Sequence, residues 1–520
     1  MSGKSVFKAA GIIMVIMVAS RVIGFVRDVI IYSQFGQNRI TDAYNAAFSI
    51  PDVLYMLLVG GALSSAFIPV FSKYISTKQE KEGWEVANIV LNLVMILMLI
   101  GIGVGYIYTR PLILLLVPGF NQEALELTVK LTRIMFWQAF FMAINGVTFG
   151  ILNAYKIFII PTLGTILYNL AIIVVGLIWS PKYGIAAFSV GVVIGAFLNF
   201  AIQIPDLRRI GYRYRFILKL NHPGLKNILG LMLPILIGLS IGQVNLFINQ
   251  NLASALPAGI VAALHTGQRL MQVPIGIFAI AIAMTIFPTL TEQSANHKMA
   301  EFKQTANLGI RSVIFITLPA AAGLIALSVP TIRLLFEQGK FTHADTLVTS
   351  VALNFYSIGI FAQSALQVLN RIFYALQDTI SPVVIGAFSI IINIAGSIIL
   401  IRYLGHGGIA LAYSSAGIFN LVLLLWWLKR KLGKIDGKRI ILSFLQSLTA
   451  SCLMGAAVYY TALAMDQILD MSIKLNQLVQ VTLSILVGAA VYAVIAAILK
   501  NEETQMVLGV LKRKFKKGKK

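Results

Sequence analysis

Apolar runs of about 17–25 residues recur along the whole chain, and each could cross roughly 30 Å of hydrocarbon as a helix. Short connectors rich in Lys, Arg, Gly and Pro separate them. The pattern predicts spans at 9–34, 44–72, 86–108, 126–151, 158–179, 185–205, 226–250, 259–290, 306–328, 346–374, 382–402, 409–428, 441–465 and 475–499. That defines an all-α polytopic membrane protein of about fourteen transmembrane helices. Lys4 and Lys8 before the first run resemble the start of a signal peptide. No A-x-A site closes that run, which continues into SRVIGFVRD, so it reads as an uncleaved first span.

An even span number puts both termini on one side. If that side is cytoplasmic, the outer connectors hold only Arg39, Arg110, Lys182, Arg333, Lys340, Arg402 and Lys474. The inner connectors hold roughly four times as many cations, the bias that the positive-inside rule requires. A missed or invented span would scramble this alternation.

The chain also repeats itself. A shift of about 219–221 residues matches Pro69 to Pro288, Ala87-Asn88 to Ala306-Asn307, Pro111 to Pro330, Phe120 to Phe341 and Pro161 to Pro382. Two six-helix repeats around a central cavity follow, with a pseudo-two-fold axis along the membrane normal. The expected divisions are an N-terminal lobe at 1–215, a C-terminal lobe at 216–432, two additional helices at 433–500 and a basic cytoplasmic tail at 501–520. Repeated halves of this kind suit alternating access. Pro51, Pro69, Pro234, Pro274, Pro288 and Pro319 fall within spans and invite kinks, either for ordinary packing or beside a wet cavity.

Composition agrees with the pattern. Of the 520 residues, 58% are hydrophobic and 12% charged, against about 25% charged in a soluble domain. The net charge of +23 sits in the inner connectors and in the tail from Lys512 to Lys520, which would be drawn to anionic membrane lipids. No soluble domain exists to read a nucleic acid, so none is expected as a partner. The single cysteine, Cys452, excludes an internal disulfide and a Cys-based metal site, and is expected as a small buried residue.

Ionisable groups inside the spans carry the chemistry. They are Arg21, Arg27 and Asp28 in the first span and Arg269 in the eighth, with Asp42 where the second begins. A charge at mid-helix costs about 2.5–3.5 kcal/mol on insertion scales, so such groups face a partner or a cavity. In the repeat, Arg21 and Arg27 align with Ile241 and Phe247, and Arg269 with Ile50, so the charge is not shared by equivalent helices. The competing reading is a structural ion pair of Arg21 or Arg27 with Asp28 or Asp42. After such pairing, three arginines against two carboxylates leave net positive charge, which suits a phosphate because the guanidinium fork donates two parallel hydrogen bonds.

Other chemistry is missing. Gly3-Lys4-Ser5 lacks the upstream glycine of a phosphate loop, and Gly101, Gly103 and Gly105 lie inside a span where helix packing explains them. The five histidines show no ligand spacing, and no nucleophile stands beside a base. No enzyme, metal or cofactor is expected.

Several stretches together resemble a known family: SRVIGFVRD at 20–28, FGQNRITDAY at 35–44, GGALSSAFIPVF at 60–71, LTRIMF at 131–136, QRLMQVPIGIFAIAI at 268–282, LFEQGKFT at 335–342 and FYALQDTISPV at 373–383. In this order and spacing the chain resembles the MurJ/MviN-type lipid II flippases of the multidrug/oligosaccharidyl-lipid/polysaccharide exporter superfamily. The resemblance implies a bacterial cytoplasmic-membrane transporter that moves undecaprenyl-diphosphate-linked peptidoglycan precursor, lipid II, from the inner to the outer leaflet. It implies functional roles for Arg21, Arg27, Arg269 and Asp42, and a lipid-tail groove formed by the last two helices. Two departures stand out. Tyr55, Met56 and Gly60 occupy positions where many relatives carry an Arg pair and a Glu, and Trp137 stands where proline is usual.

The expected function is lipid II flipping by alternating access, with Arg21, Arg27, Asp28, Asp42 and Arg269 at the substrate site. The alternatives are a flippase for another polyprenyl-linked glycan, or a non-transporting membrane scaffold whose partners are cell-wall synthesis proteins.

Overall fold

The computed structural model describes residues 3–59, 62–433 and 436–506, and within these ranges the side chains of 3–10, 62, 64–65, 233–235 and 237–241 are not described. The basic tail from Lys512, the side chains of Lys4, Lys8 and Pro234, and residues Gly60 and Lys434 therefore lie outside the described residues. All regular structure among the described residues is helical. The chain forms two compact units, Met1–Ala262 with Gly339–Phe341, and Ala263–Gln338 with Thr342–Lys520.

The first unit contains α1 (Gly3–Phe35), α2 (Arg39–Ala47), α3 (Ser49–Leu58), α4 (Ala62–Ser76), α5 (Glu80–Ile107), α6 (Thr109–Leu116), α7 (Gln122–Ala154), α8 (Ile159–Tyr183), α9 (Ala186–Ala201), α10 (Ile204–Arg209) and α11 (Pro223–Ser254). The expected second span is not one rod. It is built from α2, α3 and α4, and Pro51 falls in the first turn of α3, where its missing N–H costs no helical bond. α7 packs on α2, α3, α4, α5 and α9, and so forms the spine of the unit. The tightest pair is α8 with α9. Gly191 and Gly195, one turn apart, bring the backbones so close that a Cβ on Gly195 would lie 2.6 Å from the Tyr168 carbonyl oxygen. This is the small-residue contact of membrane helices, where close van der Waals packing replaces a hydrophobic drive. At one end of the unit the Trp84 and Tyr155 rings stack, and Asn88 and Asn92 bind the backbone of 213–217. α11, expected to open the second lobe, packs on α4 of this unit.

The second unit takes up α12 (Ile260–Pro274) from Ala263 onward. A π-helical turn, Ile275–Ala279, follows Pro274. Then come α13 (Ile280–Ala295), α14 (Met299–Ala326), α15 (Ser328–Phe336), α16 (His343–Ile358), α17 (Ile360–Ala375), α18 (Ile380–Leu404), α19 (His406–Leu432), α20 (Gly437–Ile468) and α21 (Lys474–Ile498). The repeat is visible in the elements. α5 and α14 are each 28 residues long, and α8 and α18 are each 25. Gly184 and Gly405 end α8 and α18 with φ of +58° and +56°, a left-handed conformation that glycine adopts without Cβ strain. The additional helices α20 and α21 pack on α14 through Met454, Val458 and Tyr492, whose hydroxyl donates to the Phe315 carbonyl.

Among the described residues, ten helices are long and apolar enough to cross a membrane, and the pair α16–α17, bent by 43°, makes an eleventh candidate. α1 and α11, with 33 and 32 residues, and the broken α2–α4 occupy the other three expected spans. Cys452 is exposed on α20, which corrects the expectation of burial; a small sulfur side chain is as compatible with hydrocarbon as with a packed core.

Candidate substrate-binding site

The polar patch of α1 is organised around Arg27, which is buried. Its Nε and Nη2 donate to Asp28 Oδ1 at 3.0 and 2.8 Å, and Nη1 donates to Asn169 Oδ1 on α8 at 2.9 Å. Asn169 Nδ2 donates to the Thr165 carbonyl of its own helix, which orients the amide oxygen toward the guanidinium. Gly24, one turn earlier on α1, faces the same Asn169, so the two helices meet where the polar groups need them to. Of the two readings open from the sequence, Arg27 takes the structural ion pair. One N–H on each terminal nitrogen is left for a further acceptor.

Asp42 has a different partner from those expected. It is fully buried, and Oδ2 accepts the Gly259 N–H at 2.7 Å while Oδ1 accepts the Ala262 N–H at 2.9 Å. These N–H groups lie at the start of α12, where a helix leaves its first donors unsatisfied and carries partial positive charge. A carboxylate from elsewhere in the chain thus caps the helix. Gly259 is required there: its φ is +88°, and an added Cβ would lie 2.5 Å from the Gln37 carbonyl oxygen. Arg39, at the first position of α2, completes the node. It reaches Asp42 at 3.4 Å, donates to the Leu256 carbonyl at 2.7 Å and lies 5.0 Å from the Phe120 ring centroid. So Asp42 pairs with Arg39, not with Arg21 or Arg27. Beside this node, Lys340 N–H donates to the Ser33 carbonyl and Phe341 packs edge-on against Tyr32, which joins the LFEQGKFT stretch to the end of α1.

Arg21 stands apart from both clusters. It is exposed in the middle of α1 and makes no hydrogen bond or ion pair among the described residues. Arg269 is half-buried on α12, ten positions after Gly259 along the chain. The count of interior carboxylates from the sequence misses one. Asp52, directly after Pro51 on α3, is exposed, and Gln138 Nε2 donates to its Oδ1 at a long 3.5 Å. Its place in an apolar run was the signal that could have found it. Arg311, also inside an expected span, is taken up structurally by Glu502 and Glu503, each at 2.8 Å.

Arg27 is thus paired with Asp28, and Arg39 with Asp42. The fold and these buried charges define a polytopic helical transporter. The family model described as lipid II flippase MurJ matches residues 31–498. The chain belongs to that family. It is 30% identical over 466 residues to the probable lipid II flippase MurJ of Buchnera aphidicola subsp. Acyrthosiphon pisum, covering 89% of this chain and 91% of that one. It is 27% identical over 459 residues to the lipid II flippase MurJ of Burkholderia cenocepacia, covering 86% and 88%. A solved lipid II flippase MurJ in an inward closed conformation superposes with a TM-score of 0.80 at 28% identity, over 94% of this chain and 99% of the other. An inward-facing multidrug transporter of the MATE family superposes at 0.68 with 16% identity, over 82% and 99%, and shares the fold alone.

Proposed function

We propose that this chain flips lipid II, or a closely related polyprenyl-diphosphate precursor, from the inner to the outer leaflet of a bacterial cytoplasmic membrane, with both termini cytoplasmic. Family membership supports the substrate class. The observation that carries the mechanism is Arg21, an exposed guanidinium in the middle of a 33-residue apolar helix with no partner among the described residues. A cation at that depth is costly unless water or an anion meets it.

In this reading Arg21 and Arg269 receive the diphosphate, and Arg27 is held by Asp28 and Asn169 with two N–H groups to spare. Asp42 sets where α12 begins and so positions the helix that carries Arg269. The two sequence repeats act as the lobes of an alternating-access cycle, and the polyprenyl tail stays in lipid beside α20 and α21. Outward movement of the anion is favoured by a negative-inside potential, by about 2.3 kcal/mol per charge per 100 mV. The basic tail adds attraction to anionic lipids on the cytoplasmic face.

Growth complementation tests the reading. In a strain depleted of its own lipid II flippase, the intact chain restores growth and Arg21→Ala does not, at equal membrane abundance. Growth rescue by Arg21→Ala and Arg269→Ala together would mean that the chain acts without an interior cation, as a scaffold would.

A further inference from the structure

A cationic recess on the first unit is lined by none of the residues assigned to the substrate. It is a cavity of about 530 Å³ between α5, α7 and α9, lined in part by Tyr106, Lys130, Arg133, Trp137, Val190 and Val193. Lys130 and Arg133 are one turn apart on α7, so both cations point to the same side. Neither forms an ion pair among the described residues. The carboxylate at the rim, Glu126, is engaged by Arg110 at 3.0 Å. The Arg133 guanidinium carbon lies 4.8 Å from the Tyr106 ring centroid, and its Nε is buried without a hydrogen-bond partner among the described residues.

The depth of these groups identifies the ligand class. α7 has 33 residues, about 50 Å of helix, so centred on a 30 Å hydrocarbon core it overshoots by roughly 10 Å at each end. Arg133 is eleven positions from the start of α7, about 16 Å along it, just inside the hydrocarbon boundary. From there its side chain reaches the headgroup level. Trp137, exposed one turn deeper, and the valines of α9 continue the recess into the acyl region. A soluble anion would find only half of this surface useful. A phospholipid uses all of it.

We infer that this recess binds the phosphodiester of an anionic phospholipid from the leaflet on that side, the outer one in the proposed orientation. The Arg133 fork and Lys130 hold the phosphate oxygens, Tyr106 backs the guanidinium, and an acyl chain runs past Trp137, Val190 and Val193. The inference uses the membrane-spanning fold and does not depend on flipping.

Native mass spectrometry of the purified full-length chain tests it, with phosphatidylglycerol, phosphatidylcholine and undecaprenyl diphosphate each titrated into the micelles. The intact chain retains phosphatidylglycerol over phosphatidylcholine, and Lys130→Gln with Arg133→Gln lowers that retention at least about tenfold. Lys130→Gln alone, a change at an exposed side chain, lowers it by a smaller factor and guards against misfolding. Equal phosphatidylglycerol retention by the intact chain and both variants overturns the proposal. So does a loss confined to undecaprenyl diphosphate, which would make the recess a station for the transported lipid.

Discussion

Asp42 accepts the Ala262 N–H at 2.9 Å, and this bond between residues 220 positions apart begins the helix that carries Arg269. A side-chain cap of this kind normally comes from the residue just before the helix. Here it comes from α2, so the start of α12 is tied to the fold of an element near the N-terminus.

Removing that cap has a measurable cost. Asp42→Ala leaves the Gly259 and Ala262 N–H groups buried without their acceptor and lowers stability by about 1–2 kcal/mol. Asp42→Asn keeps one acceptor oxygen and falls between. Thermal melting of the purified chain in detergent checks the order; identical melting of all three would remove the cap from the account.

Gly259→Ala tests the backbone on which the cap depends. With φ at +88° and the Gln37 oxygen 2.5 Å from the position of a Cβ, the substitution strains the turn and displaces Gln37. The expected loss is about 1–3 kcal/mol, read from the same melting curves. Gly230→Ala, where a Cβ would meet nothing within 4 Å, is the neutral control.

Buried Arg27 and half-buried Asp28 form an ion pair, and such pairs are asymmetric under mutation. Each single change, Arg27→Met or Asp28→Asn, removes the charge of one member from the pair and costs about 3–5 kcal/mol. The double variant costs less than the sum. A double-mutant cycle by thermal or denaturant unfolding measures the coupling, and strict additivity would show that Asn169 alone secures the guanidinium.

The helices were legible because a span is a local property: about twenty apolar residues in a row announce themselves wherever they lie. The repeat was legible for a similar reason, since Pro111 and Pro330 or Phe120 and Phe341 hold their register in the sequence. What stayed hidden depends on distant pairs. Asp42 looked like a partner for Arg21 or Arg27, because nothing in the sequence brings Gly259 and Ala262 to it. Asn169 reads as an ordinary polar residue of the fifth span until α8 is packed against α1. Asp52 stands in an otherwise apolar run, and nothing in the sequence brings Gln138 of α7 to it.

Asp52 also yields a prediction about affinity. In the proposed reading its carboxylate would oppose an anionic ligand, so Asp52→Asn tightens binding of undecaprenyl diphosphate, on the order of threefold at an effective dielectric of about 20. Equilibrium binding to the purified chain checks the sign. Weaker binding in the variant would mean that Asp52 organises the site.

The most direct measurement is the amount of lipid II on the outer leaflet of cells whose own flippase has been depleted and replaced by this chain. Intact protein restores it, while Arg21→Ala and Arg269→Ala, inserted at the same level, leave the precursor inside. Full outer-leaflet lipid II with both arginines removed would contradict the claim that interior guanidinium groups carry the diphosphate across.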